Sequence, residues 1–357
     1  MAGMYLNAAG ATLNLNDAGN GTGSLDITSG VQGFIVNGSA IINANITGVG
    51  GVDPEYGGSG ASLSLFGNNT YSGGTALTSS STLVYYNNNN SFGSGTISVS
   101  ESAGSFAPLL ATGGSTITLA NNFANTVSGS GVNFAGSANT AVISTGNWSL
   151  GANSINIRNN GNSTAPLTLT GVISGSGGVT FSGSGGGTIH LNNRHSYTGT
   201  TTIGSAGDTA ITVELGIANA IASSSSVLMS GGTLNLGGFT HTMTATTLGL
   251  TTGSSIDFGA GSSHLSLANS SALTWTGTLD LLNWNSADDT LQIGTDDTGL
   301  TAGQLADIEF DGTGLGDAEI NSQGFITDVP EASTTVLGLA GGLGWLGLIW
   351  NSRRRKS

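Results

Sequence analysis

The sequence contains no cysteine, so no disulfide constrains the chain and no thiolate is present for catalysis or metal binding. Charged residues make up only 7% of its 357 residues, and lysine and arginine together number six. Only Arg158 and Arg194 of these six precede residue 350. An acidic body with two arginines cannot neutralise many phosphates, which argues against nucleic-acid binding.

Sequence motifs for phosphate and metal chemistry are also missing. The one lysine is Lys356, so no Gly-rich loop ends in the Gly-Lys of a P-loop, and no His-Glu-x-x-His occurs. The segment GGSGASLSL (57–65) is similar to the calcium-binding nonapeptide but has Ser62 in place of the aspartate. The histidines are scattered, which favours structural roles over metal ligation; they are His190, His195, His241 and His264. We therefore predict no metal site and no cofactor.

Glycine is abundant instead, with 61 residues, and serine, threonine and asparagine fill much of the remainder. Disordered chains of such polarity normally have few β-branched residues and low hydropathy. Here valine, isoleucine and leucine recur throughout, and the mean hydropathy is +0.13. The composition therefore predicts a folded chain.

Short segments that alternate apolar with small polar residues recur along the body. This alternation places one face of a strand inside and the other outside, and clusters of glycine, asparagine and serine between the segments suit turns. Helical periodicity is weak before residue 330, and AGQLADIEF (302–310) is the only modest candidate. The predicted strands lie within residues 12–16, 24–28, 62–66, 96–100, 116–120, 154–157, 166–170, 211–215, 233–237, 264–268 and 278–282.

Many short strands could form a sandwich, a barrel or a solenoid. Three features favour the solenoid: the length of the chain, the spacing of 12 to 20 residues between many predicted strands, and a composition suited to tight corners and stacked polar residues. At ~20–25 residues per coil, we expect roughly fourteen coils.

Two segments share a short motif in which asparagine precedes Tyr-[Ser/Thr]-Gly-x-Thr. They are GNNTYSGGT (67–75) and NNRHSYTGT (192–200), each preceded by an apolar segment and a Gly-rich turn. The motif resembles the autotransporter-associated β-strand repeat of bacterial surface proteins, over about residues 40–110 and 160–245. This resemblance implies a right-handed parallel β-helix. Because repeated aromatic residues usually serve the repeat itself, we expect Tyr71 and Tyr197 to pack at coil corners rather than stack on a ligand.

The end of the chain combines three different segments. After Val329-Pro330-Glu331-Ala332-Ser333, residues 332–352 carry no charge, and four basic residues follow. As a helix, 21 residues would span about 31 Å, enough for the apolar core of a bilayer. The most apolar part, 336–350, predicts a C-terminal hydrophobic transmembrane helix, and the basic block would remain cytoplasmic.

This order of segments resembles the PEP-CTERM protein-sorting signal, with Ala332 where that family usually has a second proline. The resemblance implies recognition by a membrane-embedded exosortase, removal of the tail, and delivery to the cell surface or the extracellular polysaccharide matrix. The residues that match are Val329, Pro330, Glu331, Ala332, Ser333, Arg353, Arg354, Arg355 and Lys356.

The sequence suggests three regions. We expect a β-solenoid over residues 1–277, an acidic C-terminal cap over 278–328, and the sorting signal over 329–357. Twelve of the twenty acidic residues lie between Asp280 and Glu331, and solenoid ends need a polar closing surface. The first residues show neither a basic segment nor an apolar core of a signal peptide. We therefore expect that the true start lies upstream or that this chain is a fragment, in preference to another route of export.

Two pairs of aspartates are candidate catalytic groups, because β-helix glycosidases use carboxylates at a defined separation. The pairs Asp288-Asp289 and Asp296-Asp297 flank the short predicted strand TLQIG (290–294). Solvated loop carboxylates are the more common case for such pairs.

The sequence therefore predicts a non-enzymatic, exported structural or adhesin-like protein of the surface or biofilm matrix. Its expected partners are the exosortase, the membrane before processing, and extracellular polysaccharide. Two alternatives remain open: a β-helix carbohydrate-active enzyme using the paired aspartates, and a carbohydrate-binding module using exposed Trp148, Trp275 or Trp284.

Overall fold

The computed structural model describes residues 4–15, 23–56, 60–136, 140–161, 164–311 and 318–329. Within them the chain is all-β, with 2% helix, and forms a parallel β-solenoid of about 11 turns. At about 4.8 Å between stacked strands, this number of turns corresponds to a rod on the order of 50 Å long.

The described chain contains 32 strands and one short helix. The strands before residue 130 are β1 (Met4–Leu15), β2 (Ser24–Asp26), β3 (Val31–Ile42), β4 (Asn45–Thr47), β5 (Gly51–Tyr56), β6 (Ser62–Leu65), β7 (Thr75–Leu77), β8 (Leu83–Tyr86), β9 (Ile97–Val99), β10 (Phe106–Ala111), β11 (Ile117–Leu119) and β12 (Phe123–Asn125).

The middle strands are β13 (Ser130–Gly136), β14 (Val142–Ser144), β15 (Trp148–Ser149), β16 (Ile155–Asn159), β17 (Leu167–Leu169), β18 (Ile173–Ser174), β19 (Val179–Leu191), β20 (Thr201–Ile203), β21 (Thr209–Leu215), β22 (Val227–Ser230) and β23 (Thr233–Asn235). The last elements are β24 (Thr240–Met243), β25 (Leu248–Thr252), β26 (Ser254–Asp257), β27 (His264–Leu267), β28 (Leu279–Leu282), β29 (Thr290–Ile293), α1 (Ala302–Ala306), β30 (Ile308–Phe310), β31 (Ala318–Ile320) and β32 (Ile326–Asp328).

One turn of the solenoid can be followed from β14 through β15 and β16 to β17. The chain then lies directly above its own start, because Val142 pairs with Leu167, 25 residues later. Each strand of this turn pairs in parallel with its counterpart in the next turn. Among the described strands, only β31 and β32 pair with each other in the antiparallel sense.

The core is a continuous column of apolar side chains inside the coils. In β17, Leu167 and Leu169 are almost fully buried, whereas Thr168 between them is partly exposed. The register brings Leu167 next to Val142 on one side and Ile189 on the other. Full burial of such a side chain stabilises the fold by roughly 1.5–3 kcal/mol, so the repeated alternation supplies a core in every turn.

Aromatic residues fill part of the same column. Phe123 and Trp148 pair in register between β12 and β15, and their rings stack with centroids 3.9 Å apart and planes 4° apart. The Trp148 indole Nε1 donates a hydrogen bond to Ser144 Oγ at 3.1 Å. Burial of this large side chain therefore leaves no polar atom of the indole without a partner.

At one corner of the solenoid, the backbones of successive turns lie too close together to leave room for a side chain. A Cβ placed on Gly171 would lie 1.9 Å from the carbonyl oxygen of Gly146, and a Cβ on Gly146 would lie 1.9 Å from that of Asn121. Real Cβ atoms do not approach an oxygen so closely, so stacking at this corner requires glycine.

The strands predicted from alternation are all present, and so is the strand around residues 290–294. The modest helix candidate is confirmed at Ala302–Ala306, after which the chain turns into β30. The expected number of fourteen coils is too high for the described chain, which forms about 11 turns, because that number spreads the coils over all 357 residues. The assumed coil length is close to the observed one: Val142 and Leu167 of successive coils are 25 residues apart.

Parallel pairing continues beyond residue 277 through β28, β29 and β30. The region 278–328, predicted as a cap, therefore contributes strands to the solenoid as well as α1 and the β31–β32 pair. In the part of the chain that the structure describes, no helix has the length and apolar character needed to span a membrane. The predicted C-terminal helix lies outside the described residues.

Candidate functional site

Most residues of the predicted sorting signal lie outside the described residues. Val329 is described; it follows β32 directly, and 38% of its surface is exposed. The other residues of that prediction are Pro330, Glu331, Ala332, Ser333, Arg353, Arg354, Arg355 and Lys356. The assignment of these residues to a sorting signal therefore stays a prediction.

The first pair of candidate catalytic aspartates holds a loop in place. Asp289 is only 4% exposed, which differs from the solvated carboxylate expected from sequence. Its Oδ1 accepts a hydrogen bond from Ser263 N and its Oδ2 one from Asn285 N, both at 2.8 Å. Asp288 is exposed and accepts from Asn285 Nδ2 at 2.8 Å. One oxygen of Asp289 thus binds the preceding coil, and the other binds its own loop.

The second pair lies at the other end of β29. Asp296 Oδ1 accepts hydrogen bonds from Thr298 N at 2.9 Å and from Thr298 Oγ1 at 2.6 Å. These bonds favour the ionised form and hold the pKa of Asp296 below its usual value. Asp296 and Asp297 are exposed, as predicted for loop carboxylates. A strand therefore separates this pair from Asp288 and Asp289.

Two of the three candidate tryptophans lie inside the core. Trp148 is 1% and Trp275 8% exposed, and Trp275 Nε1 donates to Leu248 O at 3.0 Å. Trp284 is half-buried and packs against Phe258, with ring centroids 4.8 Å apart. The hypothesis of a carbohydrate-binding module using exposed Trp148, Trp275 or Trp284 is wrong for Trp148 and Trp275, because both rings are buried among core residues.

The two motif tyrosines are structural, as predicted. Tyr71 and Tyr197 are fully buried. Each hydroxyl lies 2.6 Å from the hydroxyl of the threonine four residues later, Thr75 in the first copy and Thr201 in the second. Burial raises the pKa of both tyrosines. The Tyr-x-x-x-Thr spacing therefore provides a partner for a phenol inside the core.

A second shared feature of the two motif copies could not be read from the sequence. Asn69 Oδ1 accepts a hydrogen bond from Ile46 N of the preceding coil at 2.7 Å. His195 takes the corresponding place, two residues before the tyrosine, and its Nδ1 accepts from Ile173 N at 3.1 Å. Asparagine and histidine thus perform the same task of joining successive coils.

His241 makes the same kind of bond, with Nδ1 accepting from Asn219 N at 3.1 Å. Its Nε2 lies 3.0 Å from Leu236 O, so both ring nitrogens have partners. His195 differs, because its buried Nε2 has no hydrogen-bond partner in the described structure. Burial lowers the pKa of His195 from 6.5 to about 4. Both rings therefore serve as neutral structural groups.

The two arginines of the described chain, Arg158 and Arg194, contact other residues of the solenoid. Arg158 forms an ion pair with Asp208, and its guanidinium lies 5.0 Å from the centre of the Phe106 ring. Arg194 Nε donates to Ala218 O at 3.3 Å. Among the described residues, no group of three histidine, aspartate or glutamate side chains is arranged to hold a metal ion.

Sequence reasoning missed a buried pair of carboxylates near the start of the solenoid. Asp53 is 5% and Glu101 2% exposed. Asp53 accepts from Thr78 Oγ1 at 2.7 Å, whereas the buried Glu101 Oε1 has no hydrogen-bond partner in the described structure. Burial, reinforced by the charge of Asp53, raises the pKa of Glu101 from 4.5 to about 7. Burial also raises the pKa of Asp53.

It also missed two adjacent surface grooves, here called the asparagine grooves. They share Asn68, Asn89 and Asn90 and have volumes of about 310 and 490 Å³. The smaller groove extends towards Asn121 of the next coil, and the larger one includes Asn87. The sequence signal was the run of four asparagines at 87–90, which resembles an ordinary loop until the coils are stacked.

Comparison of the chain with protein-family models, with curated proteins and with solved structures returned no match. The resemblance to the autotransporter-associated repeat and to the PEP-CTERM signal therefore rests on the residues quoted above.

Proposed function

We propose that this chain is a non-enzymatic structural protein of the bacterial surface or extracellular matrix, in which the solenoid serves as a rigid spacer or adhesin-like scaffold. The observation that carries the proposal is the use of chemically capable side chains for stacking coils. Tyr71, Tyr197, Asn69 and His195 bond within or between neighbouring coils. Both carboxylate oxygens of Asp289 accept backbone hydrogen bonds that hold a loop in place.

Two finer features of the fold belong to the proposal. The coils wind in the right-handed sense, the sense almost always adopted when parallel strands of one sheet are joined by a crossover. The uncharged segment 332–352 would form an apolar helix that holds the precursor in the membrane, a proposal supported by its length of 21 residues.

The C-terminal residues act as the sorting signal. Pro330 restricts its neighbours to extended backbone and cannot continue a helix, which keeps the chain accessible just outside the membrane. Glu331 is the last charge before the apolar segment. An exosortase would read this extended, charged site, cleave near it, and deliver the body to the cell surface or matrix.

Substitution of the signal tests this proposal. We expect Glu331→Gln, or replacement of Arg353, Arg354, Arg355 and Lys356 by serine, to leave full-length protein in the inner membrane. The matched control is Glu319→Gln, which changes an exposed glutamate of β31. Immunoblots of membrane and surface fractions from the native host provide the readout. Normal delivery of both signal variants to the surface would contradict the proposed sorting.

A further inference from the structure

The asparagine grooves lie in an almost uncharged part of the chain. Between residues 56 and 157 the sequence has one charged residue, Glu101, and that side chain is buried. An anionic ligand would find no cation there, and a cationic ligand would find no exposed carboxylate on these coils. The grooves therefore suit a neutral ligand.

Two amide groups in the grooves have free donors whose direction is fixed. Asn89 Oδ1 accepts from the backbone N–H of Thr118 at 2.8 Å, so the oxygen is bound and Nδ2 faces away from it. Asn87 Oδ1 accepts from Asn88 Nδ2 at 3.0 Å, and that nitrogen also donates to Phe66 O at 3.0 Å. Neither Asn87 Nδ2 nor Asn89 Nδ2 has a partner among the described residues.

Two further amides, those of Asn68 and Asn90, form a pair that supplies an acceptor beside these donors. Asn90 Nδ2 donates to Asn68 Oδ1 at 2.7 Å. This bond leaves Asn90 Oδ1 and Asn68 Nδ2 without partners among the residues that the structure describes. Asn68, Asn89 and Asn90 are all exposed. Donors and acceptors held side by side match hydroxyl groups, which both donate and accept hydrogen bonds.

We infer that the asparagine grooves bind a neutral polysaccharide through its hydroxyl groups. The two grooves adjoin and are open, and their lining comes from three successive coils, which suits an extended polymer better than a small enclosed ligand. This inference rests on the proposed function for the setting in which the protein meets such a polymer. That the ligand is neutral and rich in hydroxyl groups is inferred only from the uncharged amides that line the grooves.

Affinity electrophoresis of the full chain tests the inference. Native gels would contain dextran, mannan, laminarin or galactomannan at increasing concentration, and carboxymethyl-dextran would serve as the charged counterpart of dextran. We expect at least one neutral polymer to retard the protein. Retardation by carboxymethyl-dextran alone, or by none of the neutral polymers, would overturn the inference. Migration that depends only on protein concentration would indicate binding of a second copy and would also overturn it.

The double variant Asn87→Asp/Asn89→Asp links binding to the grooves. Aspartate keeps the accepting oxygens that Thr118 N and Asn88 Nδ2 require, but it removes both free donors. Losing two hydrogen bonds should weaken retardation at least about tenfold.

The matched control is the double variant Asn147→Asp/Asn192→Asp, which places the same two charges at exposed asparagines outside the grooves. Unchanged binding by the double variant, or equal loss in the control, would refute the assignment to the grooves. Failure of this test leaves the sorting experiment untouched, because that experiment measures processing of the tail and not binding by the body.

Discussion

The buried Glu101 should make the stability of the solenoid depend on pH. Its pKa is raised from 4.5 to about 7, so the folded chain keeps this proton up to neutral pH while the unfolded chain loses it near pH 4.5. The stabilising effect is therefore complete below pH 4.5 and is lost as the pH rises through 7. A difference of this size corresponds to about 3 kcal/mol of unfolding free energy by pH 8.5.

The isosteric substitution Glu101→Gln isolates this effect. The amide cannot ionise, so burial no longer penalises a charge at high pH. Between pH 5 and 8.5, the variant should gain about 2.5 kcal/mol relative to the wild type, because part of the effect is already lost at pH 5. Asp53, whose pKa is also raised, contributes in the same direction in both proteins, and the substitution also removes the part of the Glu101 shift that the charge of Asp53 causes.

Urea unfolding followed by far-UV circular dichroism at both pH values gives the measurement. The exposed Glu319 offers a control, since Glu319→Gln should leave the pH dependence of the wild type unchanged. Equal pH dependence in the wild type and in Glu101→Gln would refute the reasoning, because it would mean that Glu101 ionises freely in the folded protein.

Two further substitutions test the contacts between coils. His195→Asn keeps an acceptor for the backbone N–H of Ile173 but cannot be protonated. Because burial lowers the pKa of His195 from 6.5 to about 4, wild-type stability is full above pH 6.5 and falls as the pH drops towards 4. Urea midpoints at pH 7 and 4.5 should show a smaller acid loss in the variant, and an equal loss would contradict this role. Gly171→Ala would place a Cβ against a backbone oxygen 1.9 Å away, and the resulting overpacking should cost about 1–3 kcal/mol. Gly303→Ala, in α1 with no neighbour closer than 3.9 Å, is the control and should be neutral or stabilising by about 0.5–1 kcal/mol in thermal unfolding; similar losses in both variants would argue against the close corner.

Strands with regular alternation were predictable because each needs only a local pattern to bury one face. Leu167-Thr168-Leu169 shows the pattern that succeeded. The long strand β19 (Val179–Leu191) escaped prediction, because its centre, Gly185-Gly186-Gly187, offers no side chains that alternate. Pro54 and Pro108 also lie inside strands, where proline normally argues against a strand.

The important polar groups were harder to predict, because stacking rather than local sequence determines their surroundings. Glu101 follows a short strand and looks like a solvated loop residue, yet it is buried in the stack, and the charge of Asp53, two coils earlier, adds to the rise of its pKa. Asn69 and His195 occupy the same position of the motif but are different residue types. The sequence therefore gives no sign that both accept a backbone hydrogen bond from the preceding coil. These roles become visible only when the coils are stacked and each side chain can be seen beside the backbone of the neighbouring coil.

The mass of the protein at the cell surface tests the central proposal most directly. Intact-mass and peptide analysis of the surface and matrix fractions of the native host would locate the C-terminal end of the mature chain. We expect that end near residue 330, with no peptides from 336–350 in released protein. Recovery of those peptides from released, matrix-associated protein would contradict the proposal that the tail is a sorting signal removed on delivery.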